Sequence, residues 1–541
     1  MKKYLLLLSL ISALLNAEIT LDDILSKPKS RAKDFMIWQY LKQDINSTQL
    51  ETAYSLIETK NYKLNKLYFK KSKKEESKKT NSCKNEKDLL KIDDIDCLYK
   101  AISINKTLIL SDSQRLKLVD KIDKESVKNI ILIQNELYKE ESFKKYDSNT
   151  ILTMLTKSET KHRRENLNIN FSSDFINSLS SSWKISTLVR LVVFDKKLDK
   201  LQKSILKLNG DKLDSKTNFL LALNHLKHND ELGAVKHFKL AKLKAKRRIN
   251  IDKNNFWLYK LSNNKVYLSD LLLSMDINVY TIYAKEITNN EISNFFSELE
   301  YTNLDNKKDI NDPFEWRLIR QEIKKTPKDN LLALAKSYNQ KDMLSVQSFI
   351  KEKAYSFKYH SYIMPYNEYL TKLNNDQKAL VYSLMRQESN LIPSALSRSY
   401  ALGLMQLMPF VTDAISKNIK NPIKSYNEMF VPNNNIRYAL AHLKWMEKSL
   451  YHPLFMAYAY NGGMGFFKRH LLNTKAFSRG KYEPYLSMEF MQNVESREYG
   501  KKVLANYVIY KKILKEDVSI IALLEKTLDP KMTDRFRSSK Y

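Results

Sequence analysis

Residues 384–409 read LMRQESNLIPSALSRSYALGLMQLMP, and the first of them complete a predicted amphipathic helix. The apolar residues Leu380, Leu384 and Met385 recur at the spacing of one helical face. Glu388 falls on that same face, three residues after Met385 and four after Leu384. The pattern therefore places a carboxyl group where an apolar side chain is expected.

The surroundings of Glu388 are open to two interpretations. A glutamate near a helix end commonly turns to solvent or pairs with an arginine, here Arg386 or Arg398. The residues that follow favour burial instead, because Pro393 ends the regular structure and a flexible, thioether-rich apolar run follows at 403–409. A carboxyl group that faces such a run loses hydration, which raises its pKa and keeps it protonated near neutral pH. That is the state of a general acid.

Four blocks of sequence resemble motifs of the soluble lytic transglycosylases, whose catalytic domain is similar to goose-type lysozyme. In chain order they are Glu388-Ser389 with Gly403-Leu404-Met405-Gln406, the helix at Pro432 with Asn435-Ile436, Ala459-Tyr460-Asn461-Gly462-Gly463, and Glu489 with Glu495-Ser496-Arg497-Glu498-Tyr499. The resemblance implies an all-α protein, in which an N-terminal α-superhelical solenoid is followed by a lysozyme-like helical catalytic domain. The sequence departs from the family pattern at Tyr400 and Leu402, where the family has small residues. We expect these larger side chains to change the shape of the substrate subsites.

The resemblance also implies a reaction on peptidoglycan glycan strands. Glu388 would protonate the glycosidic oxygen between MurNAc and GlcNAc, and would then activate the C6 hydroxyl of the same muramic sugar, which leaves a 1,6-anhydromuramoyl end. The number of carboxylates near Glu388 is consistent with this route. Ordinary glycosidases require a second carboxylate, and the loop after Glu388 contains none. Two alternatives stay open: a hydrolytic, goose-lysozyme-like muramidase, and a non-catalytic scaffold that binds the cell wall.

Further residues take their expected roles from the same resemblance. The candidate substrate-binding residues are Ser397, Met405, Gln406, Tyr460, Asn461 and Glu489. The residues expected to shape the site are Gly403, Glu495, Arg497 and Tyr499, with Glu495 and Arg497 interpreted as a buried pair. For Ser397 the alternative is a hydroxyl that caps its own loop.

Glycine and proline are unevenly spread along the chain. Only Gly210 and Gly233 precede Gly403, and no proline occurs between Pro28 and Pro313. A segment so poor in helix breakers, and rich in Leu, Lys, Asn and Ile, predicts helix after helix joined by short polar turns, as in an irregular α-solenoid. The clearest predicted helices are residues 34–43, 50–59, 219–228, 231–244 and 266–273.

The sequence predicts five parts. Residues 1–17 combine two lysines with a short apolar core and are typical of a secretory signal peptide, so we expect export to the periplasm without a stable membrane anchor. The other four parts are a solenoid domain at 18–355, an aromatic linker at 356–372, the catalytic domain at 373–515 and a C-terminal tail at 516–541.

The charge of the chain bears on its partners. Lys and Arg number 92 against 61 Asp and Glu, a formal charge of +31. Because these lysines are spread through the whole chain and no nucleic-acid-binding module is present, we expect no nucleic acid partner. A basic surface suits an anionic polymer, and peptidoglycan carries carboxylates on its peptide stems. Other cell-wall enzymes are further candidate partners.

Cys83 and Cys97 are the only cysteines. In an exported protein they predict a disulfide, and closing a loop of that size would stabilise the fold by about 3 kcal/mol. No histidine lies near them in sequence, and the chain contains no phosphate-binding loop or metalloprotease motif. We therefore expect neither a metal nor a cofactor.

Overall fold

A computed structural model describes residues 19–72, 82–304 and 307–538. The predicted signal peptide at 1–17 lies outside these residues. The chain divides into two compact units, a first unit of Met1–Ser72 with Met275–Tyr541 and a second unit of Lys73–Ser274. This division differs from the boundaries predicted at residues 355, 372 and 515, which stay predictions. Within the described ranges, no helix is long and apolar enough to cross a membrane.

The described part of the first unit is mostly helical, and Phe295–Phe296 pairs in parallel with His360–Ser361. Its α-helices are Leu21–Ser26, Arg31–Tyr40, Ser47–Ser55, Tyr62–Ser72, Val279–Ile287, Pro313–Lys325, Leu331–Ser337, Leu344–Ala354, Asn375–Ser389, Pro409–Ser416, Pro432–Glu447, Pro453–Gly462, Met464–Thr474, Tyr485–Glu489, Val494–Ile513, Ile520–Lys526, Pro530–Thr533 and Arg535–Ser538. Its short 3-10 helices are Lys328–Asn330, Lys341–Met343, Asn367–Tyr369 and Tyr426–Phe430.

The second unit is a succession of helices joined by short turns. Its α-helices are Ile95–Ala101, Ile104–Leu108, Asp112–Asp120, Glu125–Leu132, Glu140–Phe143, Ser148–Lys157, Thr160–Glu165, Ser173–Ser178, Ile185–Phe194, Asp199–Ile205, Ser215–Lys227, Glu231–Leu243, Arg248–Ser262 and Lys265–Leu272. Its 3-10 helices are Leu89–Lys91, Ile133–Asn135 and Leu179–Ser181. The all-α prediction is confirmed.

The five clearest predicted helices are all present, and their ends differ from the prediction by up to four residues. Several helices in the second unit begin at side-chain caps, as where Asp214 accepts a hydrogen bond from the backbone N–H of Thr217. Cys83 and Cys97 form a disulfide in this unit, with their Cα atoms 5.2 Å apart. The bridge ties the segment before the 3-10 helix Leu89–Lys91 to the helix Ile95–Ala101.

The two glycines of the helical segment have one structural role in common. A Cβ at Gly233 would overlap the His225 ring, and a Cβ at Gly210 would overlap His237 and Asn218. The two histidines are buried and stack with their ring centroids 5.0 Å apart. Glycine is therefore needed at both positions because the backbone packs directly against this ring pair.

Residues 356–372 and 516–538 contain packed structure. In the predicted linker, Tyr362 is fully buried and its hydroxyl donates to Asn506 Oδ1 at 3.1 Å. In the predicted tail, Arg537 is buried beside Asp534 and donates to the backbone carbonyl of Phe477 at 2.8 Å. Buried aromatic and charged side chains hold both segments against the rest of the first unit.

The helix Val494–Ile513 is the centre of the part of the first unit that carries Glu388. It packs against Asn375–Ser389 on one side and against Pro453–Gly462 on another. Gly500 allows the second contact, because a Cβ at this position would overlap the ring of Tyr458. Three of the four motif blocks are thereby brought together by one buried helix.

Candidate active site

Glu388 lies in the last turn of the helix Asn375–Ser389. Asn374 caps the start of this helix by accepting from the backbone N–H of Gln377, and Asn390 ends it in the left-handed conformation at φ 52°. The helix residues on the predicted apolar face are buried, whereas Glu388 itself is half-buried. The carboxyl group is thus held rigidly at the edge of the core.

The carboxyl group of Glu388 has one direct side-chain partner among the described residues. The Tyr499 hydroxyl donates to Glu388 Oε1 at 2.7 Å. Burial raises the pKa of Glu388 to about 7, and the nearby carboxylate of Glu495 also raises it, while the hydrogen bond from Tyr499 lowers it. Near neutral pH this carboxyl group can therefore either donate or accept a proton.

The loop around Gly403 is held by Asn435. Asn435 is fully buried; its Oδ1 accepts from the backbone N–H of Met405 at 2.8 Å, and its Nδ2 donates to the carbonyls of Leu402 at 2.9 Å and Met429 at 2.8 Å. Gly403 has φ +72°, and a Cβ there would overlap both the Asn435 side chain and the Met429 carbonyl. Only glycine allows this close approach.

Tyr460 joins the third block to the same loop. Its hydroxyl donates to the backbone carbonyl of Met405 at 2.7 Å. The pKa of Tyr460 is raised well above its ordinary value by burial and by the nearby charge of Glu388. The Met405 side chain, in contrast, is fully buried, so it contributes to the core and not to a substrate surface. This burial is evidence against the predicted substrate contact of Met405.

Ser397, Gln406 and Glu388 line a common cavity of about 780 Å³. Gln406 Nε2 donates to the carbonyls of Ala395 at 2.9 Å and Gly403 at 2.8 Å. The Ser397 hydroxyl accepts from the backbone N–H groups of residues 399 and 401, which is the loop-capping role. Both side chains are half-buried at the cavity surface, within reach of a bound molecule.

Comparison with known proteins identifies this region. Residues 365–482 match the family model described as Transglycosylase SLT domain. Residues 365–482 are called the SLT domain after this match. The SLT domain contains Glu388, the Gly403 loop and Tyr460, so the first three of the four motif blocks lie within the match, and the predicted resemblance is confirmed.

Two curated relatives extend the comparison beyond the SLT domain. The soluble lytic murein transglycosylase of Escherichia coli (strain K12) is 27% identical over 233 residues, which is 42% of this chain and 35% of the relative. A putative soluble lytic murein transglycosylase of Haemophilus influenzae is 31% identical over 208 residues, which is 37% of this chain and 33% of the relative. The match thus spans about a third of the length of each relative.

A solved structure shows the same fold. The chain is similar to an inactive mutant of the lytic transglycosylase Slt from Pseudomonas aeruginosa, with a TM-score of 0.52, 15% identity, and coverage of 91% of this chain and 83% of that one. This likeness confirms the predicted fold class, a helical solenoid followed by a lysozyme-like helical domain.

The fourth block, from Glu489 to Tyr499, begins after the residues that match the SLT model. Glu489 is fully buried and lies 3.0 Å from the Lys501 ammonium, and the Tyr280 hydroxyl also donates to it. With both oxygens committed inside the core, Glu489 is not available to a substrate. This geometry does not support the prediction of Glu489 as a cleft carboxylate. Sequence spacing alone could not identify Lys501 as its partner.

The predicted buried pair of Glu495 and Arg497 is also absent. Arg497 is buried and its Nε donates to Glu498 Oε1 at 3.2 Å, while Glu495 is exposed. Glu495 accepts instead from Asn461 Nδ2 at 3.4 Å, and Asn461 Oδ1 accepts from the Ser496 hydroxyl at 2.8 Å. Asn461 is therefore engaged in joining two helices beside the SLT domain's candidate acid.

Tyr400, one of the departures from the family pattern, has a partner in the N-terminal part of the first unit. It is fully buried, its ring lies 5.3 Å from Phe35 and 5.5 Å from Trp38, and its hydroxyl donates to the backbone carbonyl of Asp34 at 3.3 Å. The helix Arg31–Tyr40 thus packs on the loop of the SLT domain. The large residue fills this contact and does not enter the cavity beside Glu388.

Asn435 and Tyr499 have roles that the motifs alone do not predict. A polar residue one position before Ile436 on a predicted amphipathic helix is the sequence signal for the buried hydrogen-bonding role of Asn435. Tyr499 lies beside the site as expected, and its hydroxyl is the group that donates to Glu388.

Proposed function

We propose that this protein is a peptidoglycan lytic transglycosylase that cleaves the β-1,4 bond between MurNAc and GlcNAc without water. The observation that carries the proposal is the single half-buried carboxyl group of Glu388, whose pKa is raised to about 7, at the edge of an open cavity. The SLT domain match and the names of the two curated relatives support the same substrate.

Glu388 acts first as an acid and then as a base in this proposal. The protonated carboxyl gives its proton to the glycosidic oxygen as the bond from C1 of MurNAc to that oxygen breaks, and the N-acetyl group of the same sugar stabilises the positive centre. The carboxylate then removes the proton from the C6 hydroxyl of the same sugar, while the C6 oxygen bonds to C1. A pKa near the working pH suits both steps, because neither protonation state is strongly disfavoured.

Tyr499 is the positioning residue for the acid. Its hydrogen bond at 2.7 Å fixes the orientation of the carboxyl group and stabilises the carboxylate that forms after the first proton transfer. Without this donor, burial alone would raise the pKa of Glu388 further, so the first transfer would be less favourable. Tyr460 and Asn435 act indirectly, because they hold the loop whose Gln406 lines the same cavity as Glu388.

The cavity residues Ser397 and Gln406 are the proposed substrate contacts. Gln406 uses both amide hydrogens within its own loop, so its Oε1 is the atom free to accept from a sugar hydroxyl. The Ser397 hydroxyl accepts hydrogen bonds from two backbone N–H groups, so its own hydrogen is the group left to donate.

We assign the reaction to the periplasm, in line with the predicted signal peptide.

A hydrolytic muramidase is the alternative enzyme. It needs a second carboxylate that activates water, and the candidates are Glu495, which raises the pKa of Glu388, and Glu58, which lines the cavity. Neither is hydrogen-bonded to Glu388. A water-dependent route predicts that Glu495→Gln or Glu58→Gln abolishes activity, whereas the proposed route predicts activity within about tenfold of the unmodified protein.

The products distinguish the candidate functions. The mature protein and Glu388→Gln are incubated with purified peptidoglycan, and the released fragments are weighed by mass spectrometry. The proposal predicts fragments that end in anhydromuramic acid, lighter by one water than reducing ends, and none from Glu388→Gln. Reducing ends would establish the muramidase, and binding without any release by either protein would establish the scaffold.

A further inference from the structure

The second unit contains a cavity of its own, of about 670 Å³, here called the second-unit cavity. Its wall is built from the helix Ser173–Ser178, the turn at 206–213, and the helices Ser215–Lys227 and Glu231–Leu243. A cavity of this volume can hold a small organic molecule. The polar side chains in its wall that could contact such a molecule are Ser173, Ser180, Lys207, Lys212, His225 and Lys236.

The turn that forms one wall of the second-unit cavity is held by side-chain amides. Asn177 Nδ2 donates to the carbonyl of Lys207 at 2.9 Å, and its Oδ1 accepts from the backbone N–H of Asn209 at 2.8 Å. Asn218 is fully buried, and its Nδ2 donates to the carbonyl of Gly210 at 2.9 Å. Because these bonds fix the turn, the cavity is preformed and little ordering is needed when a molecule binds.

His225 presents a hydrogen-bond acceptor at this wall. The side chain is buried, and its Nδ1 lies 2.7 Å from Asp230 Oδ2, while Asp230 Oδ1 accepts from the backbone N–H of Gly233 at 2.8 Å. Burial lowers the pKa of His225 and outweighs the opposite effect of Asp230, so the ring is neutral near neutral pH. The carboxylate therefore keeps the ring hydrogen on Nδ1, and Nε2 is left as an acceptor.

The Nε2 atom of His225 has no hydrogen-bond partner among the residues that the structure describes. The neighbouring ring of His237 stacks on it at 5.0 Å between centroids, and its own Nδ1 lies 2.9 Å from Asn218 Oδ1. A buried acceptor without a donor is unfavourable and is uncommon in folded proteins. A hydroxyl group of a molecule in the cavity would complete the hydrogen bonding of this ring.

The second-unit cavity also carries an excess of positive charge. Lys207, Lys212 and Lys236 line it and form no ion pair within the described ranges, and Asp211 is the carboxylate on the same wall. Lys207 donates to the carbonyl of Phe171 at 2.8 Å, which leaves two of its three ammonium hydrogens for other acceptors. Fixed cations at a concave surface attract anions. The wall therefore combines a site for an anionic group with an acceptor for a hydroxyl.

We propose that the second-unit cavity binds a small sugar acid, a molecule that combines a carboxylate with several hydroxyl groups. The lysines bind the carboxylate, and one hydroxyl donates to His225 Nε2. A simple anion such as acetate has no hydroxyl for His225, and a neutral sugar has no charge for the lysines. Muramic acid and the uronic acids share the required chemistry. The inference does not depend on the reaction proposed for Glu388.

The test is isothermal titration calorimetry of the mature protein near neutral pH with four ligands. MurNAc and glucuronic acid are sugar acids, GlcNAc is the neutral counterpart of MurNAc, and acetate is a carboxylate without hydroxyls. The variant Lys212→Gln/Lys236→Gln removes two charges from the cavity. The matched control, Lys216→Gln/Lys239→Gln, removes two exposed charges outside it, from the helices Ser215–Lys227 and Glu231–Leu243.

The inference predicts that at least one sugar acid binds about tenfold more tightly than GlcNAc or acetate. The cavity variant should weaken this binding about tenfold, and the control variant should stay within about twofold. Binding of MurNAc alone would assign the cavity to cell-wall fragments, glucuronic acid alone to uronic acids, and binding of both to sugar acids as a class. Binding that the cavity variant leaves unchanged, equal binding of GlcNAc or acetate, or no binding of either acid would overturn the inference.

His225→Gln and His225→Leu give a second measurement that does not depend on the lysines. Both variants lose the bond to Asp230, but glutamine keeps an acceptor near the position of Nε2 and leucine does not. Among variants with matching thermal unfolding, His225→Leu should bind the sugar acid about fivefold more weakly than His225→Gln. Equal affinities would exclude Nε2 from the site.

Nitrogen-15 NMR of labelled histidines in the unmodified protein tests the same contact without a change in the ring. The chain has eight histidines, and the resonance of His225 is the one that is missing in His225→Gln. A sugar acid should shift its Nε2 signal, because a hydroxyl then donates to that atom. An unchanged signal at a saturating concentration of the ligand would overturn the assignment of His225 to the site.

Discussion

The hydrogen bond from Tyr499 to Glu388 predicts a shift of the pH profile when the tyrosine is replaced by phenylalanine. The bond is 2.7 Å long, and it lowers the pKa of Glu388 while burial raises it to about 7. A hydrogen bond to a charged group is worth about 1.5 to 3 kcal/mol, and the protonated acid loses part of it as well. The net loss for the carboxylate is about 1.4 kcal/mol, which corresponds to about one pKa unit.

The sign of the shift follows from the proposed role of Glu388 as an acid. In the proposed reaction the protonated form acts first, so the rate should fall as the pH rises through the pKa of the carboxyl group. Tyr499→Phe raises this pKa, so the alkaline fall should move upward by about one pH unit. The assay is the initial rate of anhydro-product release from a defined glycan strand between about pH 5 and pH 9.

Tyr507→Phe is the matched control for this experiment. Tyr507 lies on the same helix and its hydroxyl also donates to a carboxylate, Asp376 Oδ1, at 2.7 Å. This variant should keep the pH profile of the unmodified protein. An alkaline limb that stays in place or moves downward in Tyr499→Phe, with the fold intact by circular dichroism, would refute the assignment of this limb to Glu388.

Three further predictions concern stability. Burial raises the pKa of Glu388 from 4.5 to about 7, so ionisation of the folded chain is disfavoured above pH 4.5. Glu388→Gln should therefore be more stable than the unmodified protein by roughly 3 kcal/mol at pH 8 and equal to it at pH 4, by denaturant unfolding. Asn435→Ala removes three buried hydrogen bonds and should destabilise the protein by about 3 kcal/mol and impair turnover, while Asn434→Ala, next to it, should change stability by less than about 1 kcal/mol. Lys501→Met leaves the buried Glu489 carboxylate without its cation and should destabilise by about 3 to 5 kcal/mol, much of which Lys501→Met/Glu489→Gln should restore; equal unfolding free energies for the two variants would contradict the buried pair.

The helical architecture could be predicted because it depends on local chemistry. The scarcity of glycine and proline before Pro313, together with apolar spacing and capping residues such as Asp214, is sufficient to predict helices and their approximate ends. The compact units could not be predicted this way. The helix Arg31–Tyr40 packs on the loop of the SLT domain through Tyr400, a contact more than 350 residues apart in sequence that leaves no periodic signal.

In the candidate site, too, local features could be predicted from the sequence and tertiary contacts could not. Glu388 stood out because it breaks the apolar face of its own helix, and a single helix is enough to show that conflict. The roles of Glu489, Glu495 and Arg497 depend on partners that only the tertiary structure selects, such as Lys501 for Glu489 and Asn461 for Glu495. A motif therefore predicts which residues are near the site, but their hydrogen bonds and burial determine which of them can face a substrate.

The central claim is that the C6 hydroxyl of MurNAc, and not water, is the nucleophile that bonds to C1 when the glycosidic bond breaks. The most direct measurement is digestion of peptidoglycan by the mature protein in water labelled with heavy oxygen, with mass spectrometry of the new ends. The account predicts anhydro ends that carry no label, and no new ends in the Glu388→Gln variant. New reducing ends that carry one heavy oxygen atom each would contradict it, because water would then be the nucleophile.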